Sequence, residues 1–333
     1  MSFRALSGTT IAIIRLAELR SHVVKTSVYS LGGLCIASDF PLFGLQICHN
    51  RAVQHEVVIR RASIPKELVS EAAIFSNGQC IGSYNGKEVL LEFPTAGRFL
   101  IRSGKEILVD PSPASDHGEV RSYLLGTAFG VLCHQRGITP LHASVIDVAS
   151  GCVAFVGASG AGKSTLVAAL AQRGYPVISD DVCFLRLGTR GRRVQAWPGM
   201  TRIRLWEDAR AALGYDGPEI EREMRGHNKY FVPVLPPQDA VRSRRLLRVY
   251  ELRAAVGDTA DVIRLRGTAA IEVLMQNVYR LGLAELLGYK PRAFSVCAAV
   301  ARDVQVFRFG RPWGFDALSH GLDLLESHMR EIG

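Results

Sequence analysis

The sequence lacks the features of a membrane or secreted protein. No stretch holds the roughly 18 uncharged apolar residues that a spanning helix needs. Arg15, Glu18 and Arg20 interrupt the apolar start of the chain, and no small-residue cleavage site follows. The seven cysteines are widely spaced and form no CxxC pair, which argues against a disulfide framework and structural zinc. We therefore expect a cytoplasmic protein without a membrane partner, whose cysteines are mostly small core residues.

The sequence also lacks internal repeats, low-complexity tracts and any known nucleic-acid-binding motif. Its net charge is nevertheless +9, with arginines concentrated around 190–193 and 242–248. Such an excess suits a nucleotide or an acidic peptide, but it equally describes a solvated basic face. Composition leaves both open, and we expect no nucleic-acid partner.

The chain divides by pattern into three parts. Residues 1–25 form a leader, and 26–117 a small mostly-β N-terminal domain that ends in a linker over 113–117. Residues 118–333 form an α/β domain whose last part, from about residue 269, is mainly helical. The N-terminal strands show short apolar runs separated by turn residues. Typical runs are Val57–Ile59, Val89–Phe93 and Phe99–Ile101, and typical turns are Asn77-Gly78 and Asn85-Gly86.

Apolar periodicity places the elements of the α/β part. A helix is predicted over 120–135, followed by strands over 144–148 and 152–156. A second helix is predicted over 163–173, where Gly174 ends it. The next strand, over 176–179, leads directly into two aspartates.

A complete G-x-x-x-x-G-K-[ST] motif joins the 152–156 strand to the 163–173 helix. This is the strand–loop–helix context of a P-loop, in which glycines let backbone N–H groups point at phosphate oxygens. The helix N-terminus and a lysine add positive charge, and the Ser/Thr hydroxyl can bind Mg²⁺. The predicted nucleotide-binding residues are Gly157, Ala158, Ser159, Gly160, Ala161, Gly162, Lys163, Ser164 and Thr165.

Two carboxylates, Asp180 and Asp181, end the strand that follows the loop. At the ligand-binding edge of a doubly wound sheet, one can hold the metal through water and the other can accept a hydroxyl proton. Paired carboxylates raise each other's proton affinity, which would suit a base. A plain strand-to-turn pair is the structural alternative.

The spacing separates this chain from other P-loop classes. Switch GTPases and ABC ATPases place the acidic strand end further along the chain. The guanine-recognition string N-K-x-D begins at Asn228 but is not completed, and no L-S-G-G-Q string is present. His142 precedes the strand pair that leads into the loop; a lone histidine is more often structural than functional.

Together, His142, the 157–164 loop and the Asp180-Asp181 pair resemble the HPr kinase/phosphorylase family in order and spacing. The resemblance covers about residues 138–185 and implies an HPr-kinase-like fold that uses ATP and Mg²⁺. It implies that Asp181 deprotonates an acceptor hydroxyl and that His142 lies beside the reacting phosphates. It also implies that Ser164 binds magnesium, which leaves Asp180 to position the metal or its water and Lys163 to stabilise the phosphates.

Other segments resemble the HPr-kinase-like proteins found with lasso-peptide genes. Members of that branch phosphorylate a precursor peptide at its C-terminal serine, so the resemblance implies a peptide substrate. The matching segments are Tyr29–Leu34, Ser38–Leu42, Leu124–Gly126, Gln135–His142, Trp197–Met200 and Arg204–Trp206.

The chain departs from the regulatory enzymes in one string. Their E-V-R-G-L-G segment supplies a metal-binding glutamate, whereas Gln195–Gly199 contains no acid and Glu207 has no certain register. Either Lys229 or Arg204 could supply positive charge near the γ-phosphate. Phosphorolysis is therefore not implied.

We expect a P-loop serine kinase that acts on a peptide, foremost the C-terminal serine of a lasso-peptide precursor. An HPr-type protein serine kinase, a small-molecule kinase and a nucleotide-gated binding module without transfer activity are the alternatives. The N-terminal domain could hold the peptide or act as a scaffold. Because the regulatory relatives form hexamers, a homo-oligomer follows by analogy alone.

Overall fold

The computed structural model describes residues 26–48, 55–68, 73–76, 80–188, 193–223, 226–255, 257 and 259–330. The predicted leader, the Asn77-Gly78 turn and Arg190–Arg192 lie outside these ranges. Six of the cysteines are buried, as expected of core residues, and Cys48 is half-buried. Within the described ranges no helix is long and apolar enough to cross a membrane.

The first nine strands of the described chain form one sheet in the order β3-β1-β2-β4-β9-β8-β7-β6-β5. They are β1 Ser27–Leu31, β2 Leu34–Ser38, β3 Gln46–Ile47, β4 Val57–Arg61, β5 Ala73–Ser76, β6 Ile81–Tyr84, β7 Glu88–Phe93, β8 Gly97–Arg102 and β9 Glu106–Pro111. The three apolar runs predicted as strands are confirmed.

Side chains of this N-terminal sheet alternate between two apolar layers, as the period of a strand requires. On β8, Phe99 and Ile101 enter the main core beneath the sheet. Leu100, between them, joins Ile64 and Leu90 in a small cluster on the opposite face. Both faces of the sheet therefore carry buried apolar residues around β8.

The helical run predicted over 120–135 is confirmed, although it is not a uniform α-helix. It consists of α1 His117–Tyr123, a π-helical turn Leu124–Ala128 and α2 Phe129–Gln135. Asp116 caps its start by accepting the N–H of Glu119. The π turn carries Gly126, whose missing side chain leaves room for the Tyr279 hydroxyl. Such turns often mark functional sites.

The second half of the chain builds a second nine-stranded sheet and a three-stranded one. Its strands are β10 Thr139–Leu141, β11 Ser144–Val148, β12 Gly151–Val156, β13 Val177–Ser179, β14 Cys183–Leu187, β15 Val194–Trp197, β16 Ile203–Trp206, β17 Glu221–Arg222, β18 Lys229–Val232, β19 Arg244–Ala254, β20 Asp261–Leu265 and β21 Gln305–Arg311. The helices are α3 Lys163–Gln172, α4 Glu207–Ala212, α5 Gly267–Gln276, α6 Leu281–Leu286, α7 Lys290–Asp303 and α8 Leu318–Arg330.

The strand directions in the second sheet decide where the site lies. β11 is antiparallel to both β12 and β13, so β12 and β13 point the same way with β11 between them. β12 is also parallel to β19, and β19 to β21. The carboxyl ends of β12, β13, β19 and β21 therefore meet at one edge of a mixed sheet. The sequence did not predict β21, which interrupts the mainly helical C-terminal part.

The tip of the β1–β2 hairpin joins the two large sheets. Gly32 and Gly33 both have positive φ, 60° and 73°, as a tight two-residue hairpin turn requires. The Gly32 N–H donates to the Pro198 carbonyl at 2.9 Å, and its carbonyl accepts from Arg186 at 2.6 Å. A Cβ on Gly33 would lie 2.1 Å from the Trp197 ring. The hairpin thus seats closely on β14 and β15.

We predict that Gly33→Ala lowers the free energy of unfolding by about 3 kcal/mol, the sum of positive-φ strain and overpacking against Trp197. Gly86→Ala is the matched control, because Gly86 also has positive φ but no atom lies within 4 Å of its would-be Cβ. It should lose only about 1 kcal/mol. Urea unfolding measures both, and equal losses would contradict the close seating.

Candidate functional site

The glycine-rich loop connects β12, which is buried throughout, to the start of α3. Gly157, Gly160 and Gly162 have φ values of 143°, 84° and 82°, in a region that other residues rarely adopt. The geometry is the strand–loop–helix arrangement expected from the motif. The loop therefore places its backbone at the N-terminus of α3, where anions are favoured.

Lys163 folds back over this loop. Its Nζ donates to the carbonyls of Gly157 at 2.7 Å and Ala158 at 3.1 Å, and the residue is 6% exposed. Burial lowers the pKa of Lys163 to about 8, although the two site aspartates act in the opposite direction. The lysine is thus held in place as a cation close to its point of titration.

Asn277, at the C-terminal end of α5, holds the start of the loop. Its Oδ1 accepts the Gly157 N–H at 2.8 Å, and its Nδ2 donates to the Val273 carbonyl at 2.8 Å. Its carbonyl accepts the His142 N–H at 2.7 Å. Nothing local in the sequence indicates this role, because Asn277 is 120 residues from the glycine it holds.

Asp180 is 2% exposed and accepts hydrogen bonds from three elements. The Ser144 hydroxyl donates at 2.6 Å and the Arg204 N–H at 3.0 Å. The Ser164 hydroxyl lies 3.0 and 3.2 Å from the two carboxylate oxygens. The predicted metal-binding pair, Ser164 and Asp180, is therefore in direct contact.

The donor set fits a hard cation only in part. Ser164 and Asp180 offer the oxygen atoms that Mg²⁺ prefers. No group of three His, Cys, Asp or Glu residues within the described ranges could hold a metal by itself. Phosphate oxygens and water would have to complete the coordination, as is usual for Mg²⁺ bound with a nucleotide.

Asp181 follows in a strained conformation. Its φ is 71°, and the Val182 N–H donates to the Asp180 carbonyl at 3.0 Å across it, which defines a γ-turn. The turn points the two adjacent carboxylates to different surroundings. Asp180 is buried, whereas the Asp181 side chain retains 19% exposure. Strain of this kind concentrates at functional sites.

The charge on Asp181 is stabilised, which corrects the expectation that the pair raises its proton affinity. Burial acts to raise the pKa of Asp181, but Arg204, followed by His142 and two lysines, outweighs it and lowers the pKa. Arg204 lies 2.6 Å from the Asp181 carboxylate. The expectation was wrong because it considered only the neighbouring carboxylate and none of the cations.

His142 lies beside Asp181. Its Nδ1 is 2.9 Å from the Asp181 carbonyl and 3.4 Å from the carboxylate. Burial lowers the pKa of His142, which favours the neutral ring. Since a carbonyl oxygen can only accept, Nδ1 carries the hydrogen and Nε2 is left as an acceptor.

Arg204, on β16, connects Asp181 to a third carboxylate, Glu223, which is 5% exposed and forms an ion pair with it. Burial opposes the charge of Arg204, but Asp181 and Glu223 outweigh it and raise the pKa. The sequence did not indicate Glu223. Glu207, considered earlier as a metal-binding acid, instead pairs with Arg210 at 2.7 Å.

Two clefts open on these residues. One, of about 310 Å³, is lined by the loop, Lys163, Ser164 and Thr165. The other, of about 490 Å³, extends past the Asp pair towards α1 and the β1–β2 hairpin. Residues common to both are His142, Ser159, Asp181, Arg204 and Lys229. The predicted residues thus come together, with Asp181 at the junction of the clefts.

Comparisons with known proteins give limited information. No protein-family model and no curated protein sequence matches the chain. Among solved structures, the chain is similar to the HPr(Ser) kinase/phosphatase from Coxiella burnetii at 14% identity and a TM-score of 0.32. The alignment covers 58% of this chain and 92% of the other. At this TM-score overall shape assigns neither fold nor function, which must come from the site itself.

We predict that Arg204→Met lowers the free energy of unfolding by about 3–5 kcal/mol, because it leaves Asp181 and Glu223 buried without their cation. Arg302→Met is the control, since Arg302 forms an exposed pair with Asp303 and should lose less than about 1 kcal/mol. Urea denaturation followed by circular dichroism gives both values. A loss below 1 kcal/mol for Arg204→Met would contradict the assigned role.

Proposed function

We propose that the protein is a kinase that transfers the γ-phosphate of ATP to a serine hydroxyl of a peptide. The C-terminal serine of a lasso-peptide precursor is the proposed acceptor. The observation that carries the proposal is the position of Asp181 at the junction of two clefts, with the glycine-rich loop on one side. A phosphate donor and a hydroxyl acceptor can approach the same carboxylate from opposite sides.

The smaller cleft supports the donor side. Backbone N–H groups of the loop, the N-terminus of α3 and Lys163 concentrate positive potential there. Ser164 and Asp180 are the residues that would hold Mg²⁺, and the cation would neutralise charge on the phosphates. Positioning and electrostatic stabilisation are most of what phosphoryl transfer asks of a protein.

The acceptor step assigns Asp181 as the base. The hydroxyl oxygen forms the new bond to the γ-phosphorus, the bond from that phosphorus to the β-bridging oxygen breaks, and ADP leaves. The hydroxyl proton passes to Asp181. Arg204 keeps Asp181 ionised and oriented, and neutral His142 fixes the turn that presents it. A base with a lowered pKa orients the hydroxyl first and takes the proton late in the transfer.

The larger cleft supports a peptide acceptor. Its volume of about 490 Å³ is in the range of ligand pockets and exceeds the needs of one hydroxyl. Apolar Leu31 and Tyr123 line it beside the cations Arg121, Lys229 and Arg280. These cations complement a chain end with a free carboxylate. The N-terminal sheet, through Leu31, would thus contribute to substrate binding.

We predict that Asp181→Asn reduces transfer from γ-labelled ATP by about 100-fold or more, the range for a lost general base, and keeps ATP affinity within about threefold. Asp208→Asn, which changes another carboxylate of the donor cleft, is the control and should keep most activity.

The labelled product identifies the acceptor class in the same experiment. A peptide kinase labels a serine of a supplied peptide, and removal of a C-terminal serine should abolish the label. Label on a metabolite or on HPr would favour the other kinases. Stable ATP binding with no labelled product under any condition would leave a nucleotide-gated module and refute transfer.

We predict that ATP affinity falls as the pH rises through about 8, the lowered pKa of Lys163 in the free protein. The direction follows from the charge of Lys163, which is a cation below this pH and neutral above it. Its attraction to phosphate is therefore lost as the pH rises. Titration calorimetry from pH 7 to 9.5 measures the change. Lys163→Met should bind weakly at every pH without this slope; a parallel slope in the variant would contradict the assignment.

A further inference from the structure

Arg311 is the last residue of β21, the strand that the sequence did not predict. β21 runs parallel to β19, which runs parallel to β12. Arg311 therefore lies at the same edge of the sheet as the glycine-rich loop. It lines the donor cleft together with Lys163 and Ser164.

The guanidinium of Arg311 contacts the loop itself. Its Nη2 would be only 2.3 Å from a Cβ on Gly162, the residue that precedes α3. Gly162 is thus required both for its φ of 82° and for the room that its missing side chain leaves to Arg311. The arginine is held against the positive end of the helix.

This cation has no acidic partner in the part of the chain that the structure describes. Arg311 is 5% exposed, and its buried Nε has no hydrogen-bond partner there. Burial alone lowers the pKa of Arg311, in contrast to Arg204, whose charge two carboxylates stabilise. Its guanidinium lies over the Trp313 ring, with Cζ 5.4 Å from the ring centroid.

Arg311, Lys163 and the N-terminus of α3 therefore meet in the donor cleft. The two site aspartates act on the charge of Lys163, whereas Arg311 has no acidic partner among the described residues. A buried charge without a partner is costly, and proteins retain one where a ligand supplies the opposite charge. The planar fork of arginine matches phosphate oxygens better than a lysine does. The missing partner has the chemistry of a phosphate chain.

Two aromatic residues follow directly in the same cleft. Trp313 is 63% exposed and Phe315 41% exposed, although both line the donor cleft. Large apolar side chains left open beside a phosphate site suit the flat face of a nucleobase. The segment 311–315 thus carries a cation at the loop and aromatic surface further out.

We propose that the segment Arg311–Phe315 is a nucleotide-recognition element, in which Arg311 binds the phosphate chain and the Trp313–Phe315 surface stacks on the base. This inference rests on the proposed nucleotide site and adds residues to it that lie far along the chain from the glycine-rich loop.

Calorimetric binding of Mg²⁺·ATP and of Mg²⁺·tripolyphosphate separates the two roles. Arg311→Gln should weaken both ligands by about tenfold or more, since both offer phosphates. Trp313→Ala should weaken ATP by about fivefold and leave tripolyphosphate unchanged, since only ATP carries a base. Arg302→Gln and Phe294→Ala, exposed residues of α7, are the charge and aromatic controls and should bind both ligands like the wild type.

The melting temperature of the ligand-free protein distinguishes binding from a structural role. Arg311→Gln should melt no lower than the wild type, because it removes a buried charge without a partner. Arg311→Lys keeps a cation but not the planar fork, so it should recover only part of the tripolyphosphate affinity. Its loss of affinity relative to the wild type serves as the test if the glutamine variant does not fold.

Failures of the two proposals are distinguishable. Unchanged affinities in both Arg311→Gln and Trp313→Ala would overturn this inference and leave the transfer proposal standing. Equal losses of ATP and tripolyphosphate in Trp313→Ala would overturn the base contact. A wild type that binds neither ligand would overturn both this inference and the proposed nucleotide site. Intact ligand binding without phosphate transfer would instead contradict only the proposed chemistry at Asp181.

Discussion

The buried carboxylate of Asp180 is the contact on which the site depends. It accepts from Ser144 at the start of β11, from Ser164 in the first turn of α3 and from the Arg204 backbone on β16. These three elements also pack in a common apolar core, and the carboxylate fixes their polar ends relative to one another. Because the carboxylate is almost fully buried, losing any donor leaves part of a charge unsolvated. The arrangement of Ser144, Ser164 and the Arg204 backbone is thus a consequence of satisfying one buried acid.

The surroundings of the second aspartate, Asp181, differ from those of Asp180. Strain at Asp181 turns its side chain away from this network and into the junction of the clefts, where Arg204 and His142 hold it. The two adjacent aspartates therefore differ because their surroundings differ. One acid is saturated with donors and fixed, and the other keeps a side open to a ligand. The small β16-β18-β17 sheet matters because it brings Arg204 and Lys229 to that junction.

The N-terminal sheet is joined to the site more closely than an accessory domain requires. Its β1–β2 hairpin fits against Trp197 and Phe184 with no room for a Cβ at Gly32 or Gly33. Its main core continues through α1, α2 and the Phe129–Phe184 ring pair. Leu31 from this hairpin reaches the larger cleft. Movement of the sheet would therefore change the lining of the larger cleft.

Local pattern was enough to predict the strand–loop–helix unit, the 120–135 helix and the Asp pair, because each depends on neighbours a few residues away. The order of strands around β11, which brings the ends of β12 and β13 together, depends on pairing across the chain. Glu223, Asn277 and Arg311 carry no local signal, since their meaning comes from partners more than 15 residues away. Local pattern thus identified the candidate residues, whereas the fold sets the charges that surround them, because electrostatic interactions depend on distance in space.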